Sequence, residues 1–390
     1  MSLPPLVDEH ALQTYLAAQW PGSDAPVRVE KIQAGHSNET FLVARGDEQW
    51  VLRRPPRPPY LPTAHDVLRE YRVISALAQT AFPVPRPVLV CEDTSVIGAP
   101  FYLMERVDGI VFRNTLQGGF AAERDGAAIA GELVRALAAL HAVDYQAVGL
   151  GSLGRPEGYL ARQLKRWTGQ LEGAQTRPTP DLDAVTGWLN AHLPESPPAT
   201  IVHGDFRLDN VIYAPRPPAR QILTAERAEN AEKNSELHAR NFTPRKRAKA
   251  KEEISAPSAS SAVSSQARIV AVLDWEMSTL GDPLADLGYL LSFWREAGEA
   301  AATPLPDDMG DVTSQPGFPT RAEVAARYEE LSGRKVDHLT FYIVLAIWKL
   351  AILLEGSYKR HLAGTTDDPF FALLAEGVPA LARRARAMTG

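Results

Sequence analysis

The sequence predicts an α+β protein in two parts, a small β-rich N-terminal part and a larger, mainly helical C-terminal part. Residues 27–54 alternate apolar and polar side chains and carry turn signals, which is typical of a small antiparallel sheet. Residues 65–80 repeat apolar side chains at helical spacing and predict an amphipathic helix. From residue 121 onward the apolar pattern is mostly helical. A length of 390 residues suits two lobes better than one small domain.

Short apolar patterns predict the other elements of the N-terminal part. A helix is expected over residues 8–19, and two more strands are expected near residues 87–92 and 101–106. Gly35 and the Arg-Gly-Asp-Glu run at residues 45–48 are turn signals between the first strands. These elements complete a small sheet accompanied by helices.

The most apolar long stretch of the chain is residues 341–354. A bilayer span needs about 20 apolar residues, so this stretch is too short, and Lys349 interrupts it. It predicts a buried helix in the C-terminal part. We therefore expect no membrane partner.

Composition narrows the class of protein. Apolar residues make up 45% of the chain, which is ample for a core, and the formal net charge of −6 argues against nucleic acid as the main partner. The single cysteine, Cys91, cannot form an intrachain disulfide and favours a reducing compartment. The first ten residues lack the basic and apolar regions of a signal peptide. A cytoplasmic protein is the expectation.

Residues 214–268 do not fit the pattern of either part. This polar, low-complexity segment holds 11 Lys and Arg against 6 Asp and Glu, so it is locally basic in an acidic protein. It has few side chains able to fill a core and ends in a run of Ser and Ala, which predicts a disordered surface insertion. A basic arm for nucleic acid or an anionic surface is the alternative. Without the insertion, the strands on either side would form a hairpin.

The run Ile-Val-His-Gly-Asp-Phe-Arg-Leu-Asp-Asn-Val-Ile-Tyr at residues 201–213 is the most informative in the chain. Apolar strands are predicted at its two ends, and the loop between them turns at Gly204 and carries Asp205 and Asn210. After the insertion, a second predicted strand leads directly into Asp274. A loop held at both ends by buried strands can position side chains for catalysis.

These residue types suit phosphoryl transfer, which needs a carboxylate near the attacking hydroxyl and ligands for Mg²⁺ on the phosphates. Asp205 has the loop position for the first role. Asn210 offers a neutral oxygen and Asp274 a charged one, and a hard cation prefers oxygen ligands. His203 is expected to bond the loop backbone. In the alternative, His203 and Asp205 bind the metal of a hydrolase, but the sequence has no companion His cluster.

Taken together, His-Gly-Asp-Phe-Arg-Leu-Asp-Asn and the later Leu-Asp-Trp-Glu resemble the catalytic and metal-binding loops of the aminoglycoside phosphotransferase-like kinase family. The resemblance implies a two-lobe, protein-kinase-like fold, ATP and Mg²⁺ as cofactors, and a small hydroxylated substrate. It also implies an N-lobe for nucleotide binding at residues 1–106 and a C-lobe for catalysis and acceptor binding at residues 107–390.

The resemblance extends to the nucleotide site. Residues 33–43 resemble the loop that covers the nucleotide, and a basic residue on the next strand is expected to bind its phosphates, with Arg54 able to share that task. Protein kinases use Lys at this position, and here it is Arg, which presents a planar fork. A strand and hinge at residues 98–112 would face the adenine. The implied nucleotide-binding residues are Gly35, Ser37, Asn38, Arg53, its ion-pair partner Glu70, Met104, Glu105 and Val107.

Two further stretches, residues 149–176 and 343–364, resemble the branch of kinase domains fused to, or found beside, acyl-CoA dehydrogenases, including family members 10 and 11. This branch is implicated in phosphorylating hydroxyacyl-CoA thioesters, so a CoA thioester is a candidate substrate. A basic, aromatic helix is expected to line the acceptor cleft and hold the CoA phosphate and adenine. Its residues are Arg155, Tyr159, Arg162, Gln163, Lys165, Arg166 and Trp167.

Other functions are compatible with the same predicted fold. The acceptor could be an aminoglycoside, choline, homoserine or a sugar, although the basic stretch 155–166 argues against a cationic aminoglycoside. A nucleotide-binding pseudokinase that serves as an interaction module is the alternative from another class. A protein kinase is disfavoured because no Ala-Pro-Glu pattern follows Asp274. Asp282 and Asp286 are expected to support the loop and the following helix, and the oligomeric state stays open.

Overall fold

A computed structural model of the protein describes residues 5–21, 25–32, 38–57, 65–215, 267–301, 305, 310–364 and 369–390. A small antiparallel sheet comes first along the chain and a set of helices follows, as the sequence predicted. The strands are β1 (Val27–Ile32), β2 (Glu39–Arg45), β3 (Glu48–Arg54), β4 (Pro87–Cys91), β5 (Phe101–Glu105), β6 (Thr200–Val202), β7 (Val211–Tyr213), β8 (Ile269–Val272) and β9 (Thr279–Gly281).

The five N-terminal strands form one sheet in the order β1-β2-β3-β5-β4, with antiparallel neighbours throughout. Its two faces have different partners. Leu52 and other outward-facing residues pack with the N-terminal helix in one apolar cluster, whereas Val51 packs against the main core that continues into the C-terminal part. Strand alternation therefore decides which side chains of β3 can reach a site between the two parts.

Ten helices lie in the part of the chain that the structure describes. Asp66 caps the second helix by accepting the backbone N–H of Arg69 over 3.0 Å. Asp282 accepts the backbone N–H of Leu284 over 2.9 Å and so supports the start of the helix that follows it, as expected. The helices are α1 (Glu9–Gln19), α2 (Val67–Leu77), α3 (Ala122–His141), α4 (Tyr159–Ala174), α5 (Pro180–Ala191), α6 (Leu284–Ser292), α7 (Gly310–Thr313), α8 (Arg321–Ser332), α9 (Leu339–Leu362) and α10 (Phe370–Ala387).

Helix α9 contains the apolar stretch 341–354 and is longer than the stretch itself. Its 24 residues are long and apolar enough to cross a bilayer, the one such helix among the described residues, but 61% of its most apolar window is buried inside the protein. Phe341, Trp348 and Ile352 are each at most 2% exposed and pack in the main core. The prediction of a buried helix at this place is confirmed.

Two short antiparallel pairs are nested in the C-terminal part. β6 pairs with β9, and β7 pairs with β8 inside them, so the predicted hairpin is confirmed. The backbone N–H of Ala214 donates to the carbonyl of Arg268 over 2.7 Å, which continues this hairpin by one step. Residues 216–266, almost all of the predicted insertion, lie outside the described residues.

Candidate active site

The nested pairs hold two loops side by side. The first site loop (203–210) joins β6 to β7, and the second site loop (273–278) joins β8 to β9. Val211 pairs with Val272, and the backbone N–H of Leu273 donates to the carbonyl of Asn210 over 2.8 Å. This ladder brings Asn210 and Asp274 together although the whole insertion separates them in sequence.

Asp205 is held by its neighbours in the first site loop. The amide nitrogen Nδ2 of Asn210 donates to the Asp205 carboxylate and to its backbone carbonyl, both over 2.8 Å. Tyr289 also bonds the carboxylate through its hydroxyl, and Arg207 Nε lies 3.3 Å from it. Because the amide nitrogen of Asn210 is turned towards Asp205, its amide oxygen is directed elsewhere.

Asp286 braces the first site loop from α6. Its buried carboxylate accepts the backbone N–H groups of His203 over 2.7 Å and of Gly204 over 2.8 Å, and His141 Nε2 lies 3.2 Å away. Burial alone would raise the pKa of Asp286, but these donors outweigh it and lower the pKa. The predicted support role of Asp286 is confirmed.

Gly204 is needed for the shape of the loop. Its φ of +86° is in the left-handed region, and a Cβ there would lie 2.7 Å from the carbonyl oxygen of Met277. Any other residue would strain the backbone and push the two site loops apart. The turn that the sequence placed at Gly204 is therefore also the point of closest contact between the loops.

His203 is structural, as predicted. Its Nε2 lies 2.8 Å from the carbonyl of Leu273, and its Nδ1 accepts the backbone N–H of Asp205 over 3.2 Å. Both ring nitrogens are thus engaged with the backbone of the two loops. Within the described residues no group of three His, Cys, Asp or Glu side chains could hold a metal ion. With both ring nitrogens engaged, His203 is not available as the metal ligand that the hydrolase alternative requires.

Asp274 has an unusual backbone conformation. Its φ of +63° and ψ of 68° are in the left-handed region, which few residues other than glycine adopt. Arg53 Nη2 contacts its carboxylate oxygen Oδ1 at 3.0 Å, and the side chain remains 28% exposed. A residue of β3 therefore holds the second site loop from across the molecule.

Arg53 also forms the ion pair that the sequence predicted. Its Nε lies 3.1 Å from Glu70 Oε2, and the two side chains are 11% and 2% exposed. Burial lowers the pKa of Arg53, but Glu70 and Asp274 more than offset this and raise it. The guanidinium stays charged and bridges two carboxylates, of which the sequence had predicted only Glu70.

The carboxylate of Glu70 has further partners. Asn38 Nδ2 lies 3.5 Å from it, the Tyr102 hydroxyl bonds it, and the backbone N–H of Trp275 donates to it. Burial raises the pKa of Glu70, and Arg53 opposes that rise. The amide of Asn38 is directed at this pair. Its predicted contact with a phosphate remains a prediction.

Arg207 and Asp209 form a second charged pair beside Asp205. Arg207 Nε lies 3.1 Å from Asp209 Oδ1, and its guanidinium stacks over the Phe293 ring at 5.1 Å. Burial raises the pKa of Asp209 to about 6, against the effect of Arg207. Asp209 thus braces Arg207 within the first site loop.

Arg54 does not share the task of Arg53. Neighbouring residues of a strand point to opposite faces, so Arg54 lies on the outer side of the sheet. It is 4% exposed, and its guanidinium donates to the backbone carbonyls of Leu6, Pro55 and Ile97. The expectation that Arg54 could bind phosphate is wrong, and its role is to tie the N-terminal segment to the sheet.

The hinge residues are only partly as expected. Met104 lies at the end of β5 and packs in the main core. The backbone N–H of Glu105 already donates to the carbonyl of Arg86 over 2.9 Å, so this group is engaged and cannot bond an adenine. Contacts of the adenine with the carbonyl of Glu105 and with the backbone of Val107 remain predictions. Gly35 and Ser37 lie outside the described residues.

The predicted acceptor residues on α4 and just before it fall into two groups. Tyr159 and Trp167 are buried, and Gln163 accepts the indole N–H of Trp167 over 3.0 Å. An adenine cannot stack on these rings, so that part of the expectation is wrong. The basic residues Arg155, Arg162, Lys165 and Arg166 are exposed.

Three contacts of the site were not predicted from the sequence. Arg53 reaches Asp274, Tyr289 of α6 bonds Asp205, and the ammonium of Lys349 lies 3.4 Å from the carbonyl of Gly204. Only Lys349 gave a signal, since a lone cation in a buried apolar helix needs an explanation. The other contacts depend on tertiary placement.

The family of the chain follows from comparison with known proteins. The profile of the phosphotransferase enzyme family (APH) matches residues 28–220 and 262–313, which is more than half of the chain and includes both site loops. The chain belongs to this family, and its fold is the two-lobe, protein-kinase-like fold. The matched segments leave out residues 221–261, which lie inside the predicted insertion.

Two similar proteins indicate which branch of the family the chain resembles. Acyl-CoA dehydrogenase family member 10 of Mus musculus is 34% identical over 365 residues, which are 93% of this chain and 29% of that protein. Family member 11 of Rattus norvegicus is 32% identical over 385 residues, 96% of this chain and 42% of that protein. The chain therefore spans less than half the length of both relatives.

Solved structures agree on the fold. A Ralstonia eutropha protein provisionally named an aminoglycoside phosphotransferase is 32% identical, with a TM-score of 0.67 and coverage of 98% of this chain and 96% of that one. Aminoglycoside 2'-phosphotransferase-IIIa in complex with GDP is 15% identical, with a TM-score of 0.57 and coverage of 97% and 99%. The second likeness concerns the fold alone.

Proposed function

We propose that the protein is an ATP- and Mg²⁺-dependent kinase that transfers the γ-phosphate of ATP to a hydroxyl group of a small molecule. One observation carries the proposal: the carboxylate of Asp205 is oriented by Asn210 at 2.8 Å, beside an Asp274 that Arg53 holds from the other lobe. A phosphotransferase with this set has a proton acceptor, two oxygen donors and a phosphate-binding cation within one site.

The chain's own residues account for the transfer. Asp205 accepts a hydrogen bond from the acceptor hydroxyl and takes its proton as the oxygen attacks the γ-phosphorus. The bond from that phosphorus to the bridging oxygen breaks, and ADP leaves with the electron pair. Arg53, fixed by Glu70 at 3.1 Å, contacts the α- and β-phosphates.

Asn210 and Asp274 fit a magnesium ion. The amide oxygen of Asn210 is not used in its bonds to Asp205, and Asp274 places only its oxygen Oδ1 on Arg53. Two protein oxygens suit Mg²⁺, which keeps several waters and binds substrate phosphates as well. When bound, the ion neutralises charge on the phosphates.

A hydroxyacyl-CoA is the proposed acceptor. Two observations support it: the relatives are acyl-CoA dehydrogenase family members, and Arg155 just before α4 and Arg162, Lys165 and Arg166 on α4 are exposed. Among described residues none of these four cations is ion-paired with a carboxylate. An anionic CoA tail matches that face, whereas a cationic aminoglycoside does not. Choline is disfavoured for the same reason, and homoserine or a sugar gains no support from it.

The acceptor class is tested by ADP release from Mg²⁺-ATP. The panel contains 3- and 4-hydroxyacyl-CoA thioesters, the matching free hydroxy acids, an aminoglycoside, choline, homoserine and a sugar. Release with a hydroxyacyl-CoA alone is the expected result. The free acids are the matched control, because they keep the hydroxyl and remove the CoA tail.

Other outcomes decide between the alternatives. Release with a free hydroxy acid at the same rate would overturn the CoA part and keep the kinase. Binding of ATP without Mg²⁺, and no release with any acceptor, would favour the pseudokinase interaction module.

A further inference from the structure

Lys349 is a cation in an otherwise apolar part of α9. Its neighbours Trp348 and Leu345 are buried in the main core. Its ammonium lies 3.4 Å from the carbonyl oxygen of Gly204, the residue before Asp205. The rings of Trp167 and Tyr289 lie 5.4 Å and 5.8 Å from the ammonium, within the range of cation–π attraction.

Among the residues that the structure describes, the ammonium has no carboxylate partner. Within the described parts of the chain no ion pair joins Lys349 to Asp or Glu, and its one hydrogen bond is to Gly204. Burial lowers the pKa of Lys349, while the charges of Asp205 and Asp286 oppose this. An apolar side chain would fill the same space without desolvating a charge. Packing alone therefore does not explain a lysine at this position.

The contact of Lys349 is on the peptide that leads into Asp205. Its ammonium holds the carbonyl of that peptide, and His203 Nδ1 accepts the N–H of the same peptide over 3.2 Å. The preceding N–H, that of Gly204, is held by Asp286 over 2.8 Å. The lysine is thus the third support of one short segment, and the only positively charged one among them.

We propose that Lys349 is a positioning residue for phosphoryl transfer: it fixes the Gly204–Asp205 peptide and so holds the Asp205 carboxylate where it can accept the proton of the acceptor hydroxyl. This inference rests on the proposed function of Asp205. Lys349 acts through the loop and does not take part in bond breaking.

The charged form of Lys349 is the active one. A neutral amine is a weaker hydrogen-bond donor than an ammonium, so deprotonation loosens the hold on the Gly204 carbonyl and removes the charge near Asp205, and turnover falls at alkaline pH. Because burial lowers the pKa of Lys349, turnover decreases at a pH below the ordinary pKa range of a lysine ammonium. The titratable and charged groups around the ammonium are Asp205, Asp286, Tyr289, Tyr159, Arg166 and, on its own helix, Tyr342.

Kinetic measurements on variants distinguish a positioning role of Lys349 from a role in packing alone. Lys349→Met keeps the length of the side chain and removes its charge. We expect at least a tenfold lower kcat, a KM for ATP within threefold of wild type and an unfolding midpoint that does not fall. The decrease of kcat at alkaline pH should also be lost. Lys349→Arg should have at least a third of the wild-type kcat, and its decrease of kcat should occur at a higher pH.

Lys359→Met is the matched control. Lys359 lies on the same helix and donates to the carbonyl of Gly173 over 2.7 Å, but its bond is exposed. We expect wild-type kcat from it. A kcat within threefold of wild type in Lys349→Met, or a lower kcat with an unchanged pH profile and a lower unfolding midpoint, would overturn the proposal.

A second measurement needs no acceptor and separates this inference from the proposed function. Lysine labelled with ¹³C at Cε reports the titration of Lys349, whose signal is identified by its absence in Lys349→Met. In Asp205→Asn the favourable charge is gone, so the midpoint of Lys349 should fall further. An equal midpoint in both proteins would refute the coupling, even if the wild type transfers phosphate. A shifted midpoint in a protein that transfers no phosphate would support the coupling and count against the proposed function.

Discussion

Arg53 shows how one side chain can organise the site. It lies on the inner face of β3, where its guanidinium touches Glu70 at 3.1 Å and Asp274 at 3.0 Å. Both contacts use the planar fork, with Nε on one carboxylate and Nη2 on the other. A compact ammonium has no such fork. The arginine therefore does more here than replace the lysine of protein kinases.

Arg53→Lys should weaken this network. The lysine side chain is shorter and its ammonium is compact, so it contacts only one of the Glu70 and Asp274 carboxylates and leaves the other without a cation. A charged hydrogen bond contributes about 1.5–3 kcal/mol, so we expect the free energy of unfolding to fall by about that amount. Urea denaturation measures it. Arg28→Lys is the control, because Arg28 is 73% exposed on the outer strand, and equal stability of the two variants would contradict the account.

At the residue scale the sequence predicted that Asp205 and Asn210 share one loop and that Asp274 follows a strand, because these features are local, whereas the roles of the three residues remain predictions. It was a poor guide to contacts between lobes. The bond from Arg53 to Asp274 and the contact of Lys349 with Gly204 join residues far apart in the chain. Such pairs depend on how the elements pack, which periodicity does not encode.

Helix α6 and the first site loop act as one element. Asp286 lies in the first turn of α6 and accepts two backbone N–H groups of the loop, so the loop position depends on that helix. Tyr289, one turn later, bonds Asp205 itself. The same helix therefore fixes both the backbone and the carboxylate of the candidate catalytic residue.

Asp286→Asn should loosen this element. An amide has one acceptor oxygen in place of two, so one of the backbone N–H groups at His203 and Gly204 loses its partner. Breaking a buried charged contact costs about 3 kcal/mol, which urea unfolding would detect, and kcat should fall with it.

The pH dependence of this effect has a definite sign. Because the pKa of Asp286 is lowered in the folded state, its stabilisation is present above the pKa of the unfolded chain and is lost as the pH falls. The difference from wild type should therefore shrink on acidification. Asp311→Asn, at a carboxylate that is 55% exposed, is the control, and a difference independent of pH would argue against the buried charge.

Elements with strong periodicity were predicted well. The helix expected over residues 65–80 is α2 (Val67–Leu77), and the strands expected near 87–92 and 101–106 are β4 and β5. The pairing of β6 with β9 was not predicted. Strands of three residues have too little pattern to show their partner, and here the partner comes after the insertion.

The whole molecule depends on contacts that join its two lobes. Arg53 reaches Asp274, and Arg69 of α2 donates to the backbone carbonyls of Leu153 over 2.9 Å and of Ser278 over 2.6 Å. Both arginines start in the sheet-containing lobe and end at or beside the second site loop. The site is therefore assembled between the lobes, while the division at residues 106 and 107 remains a prediction.

The segment 216–266 should be dispensable for this assembly. It leaves and rejoins the molecule at one hairpin, where Ala214 bonds Arg268 over 2.7 Å, so a short Gly-Asn turn can close the gap. Shortening the loop lowers the entropic free-energy cost of closing it by about 2 kcal/mol. We therefore expect no loss of stability, and a kcat within threefold of wild type. A folded deletion variant with a large loss of turnover would show that the segment takes part in function.

The most direct test of the central claim is the rate at which Asp205→Asn transfers phosphate from Mg²⁺-ATP to a 4-hydroxyacyl-CoA, with the phosphorylated product measured by mass spectrometry. We expect product with the wild type and with Asp311→Asn. For Asp205→Asn we expect a rate lower by ~100-fold or more, the usual effect of losing a general base, with ATP binding retained. Turnover at the wild-type rate in Asp205→Asn would contradict the account.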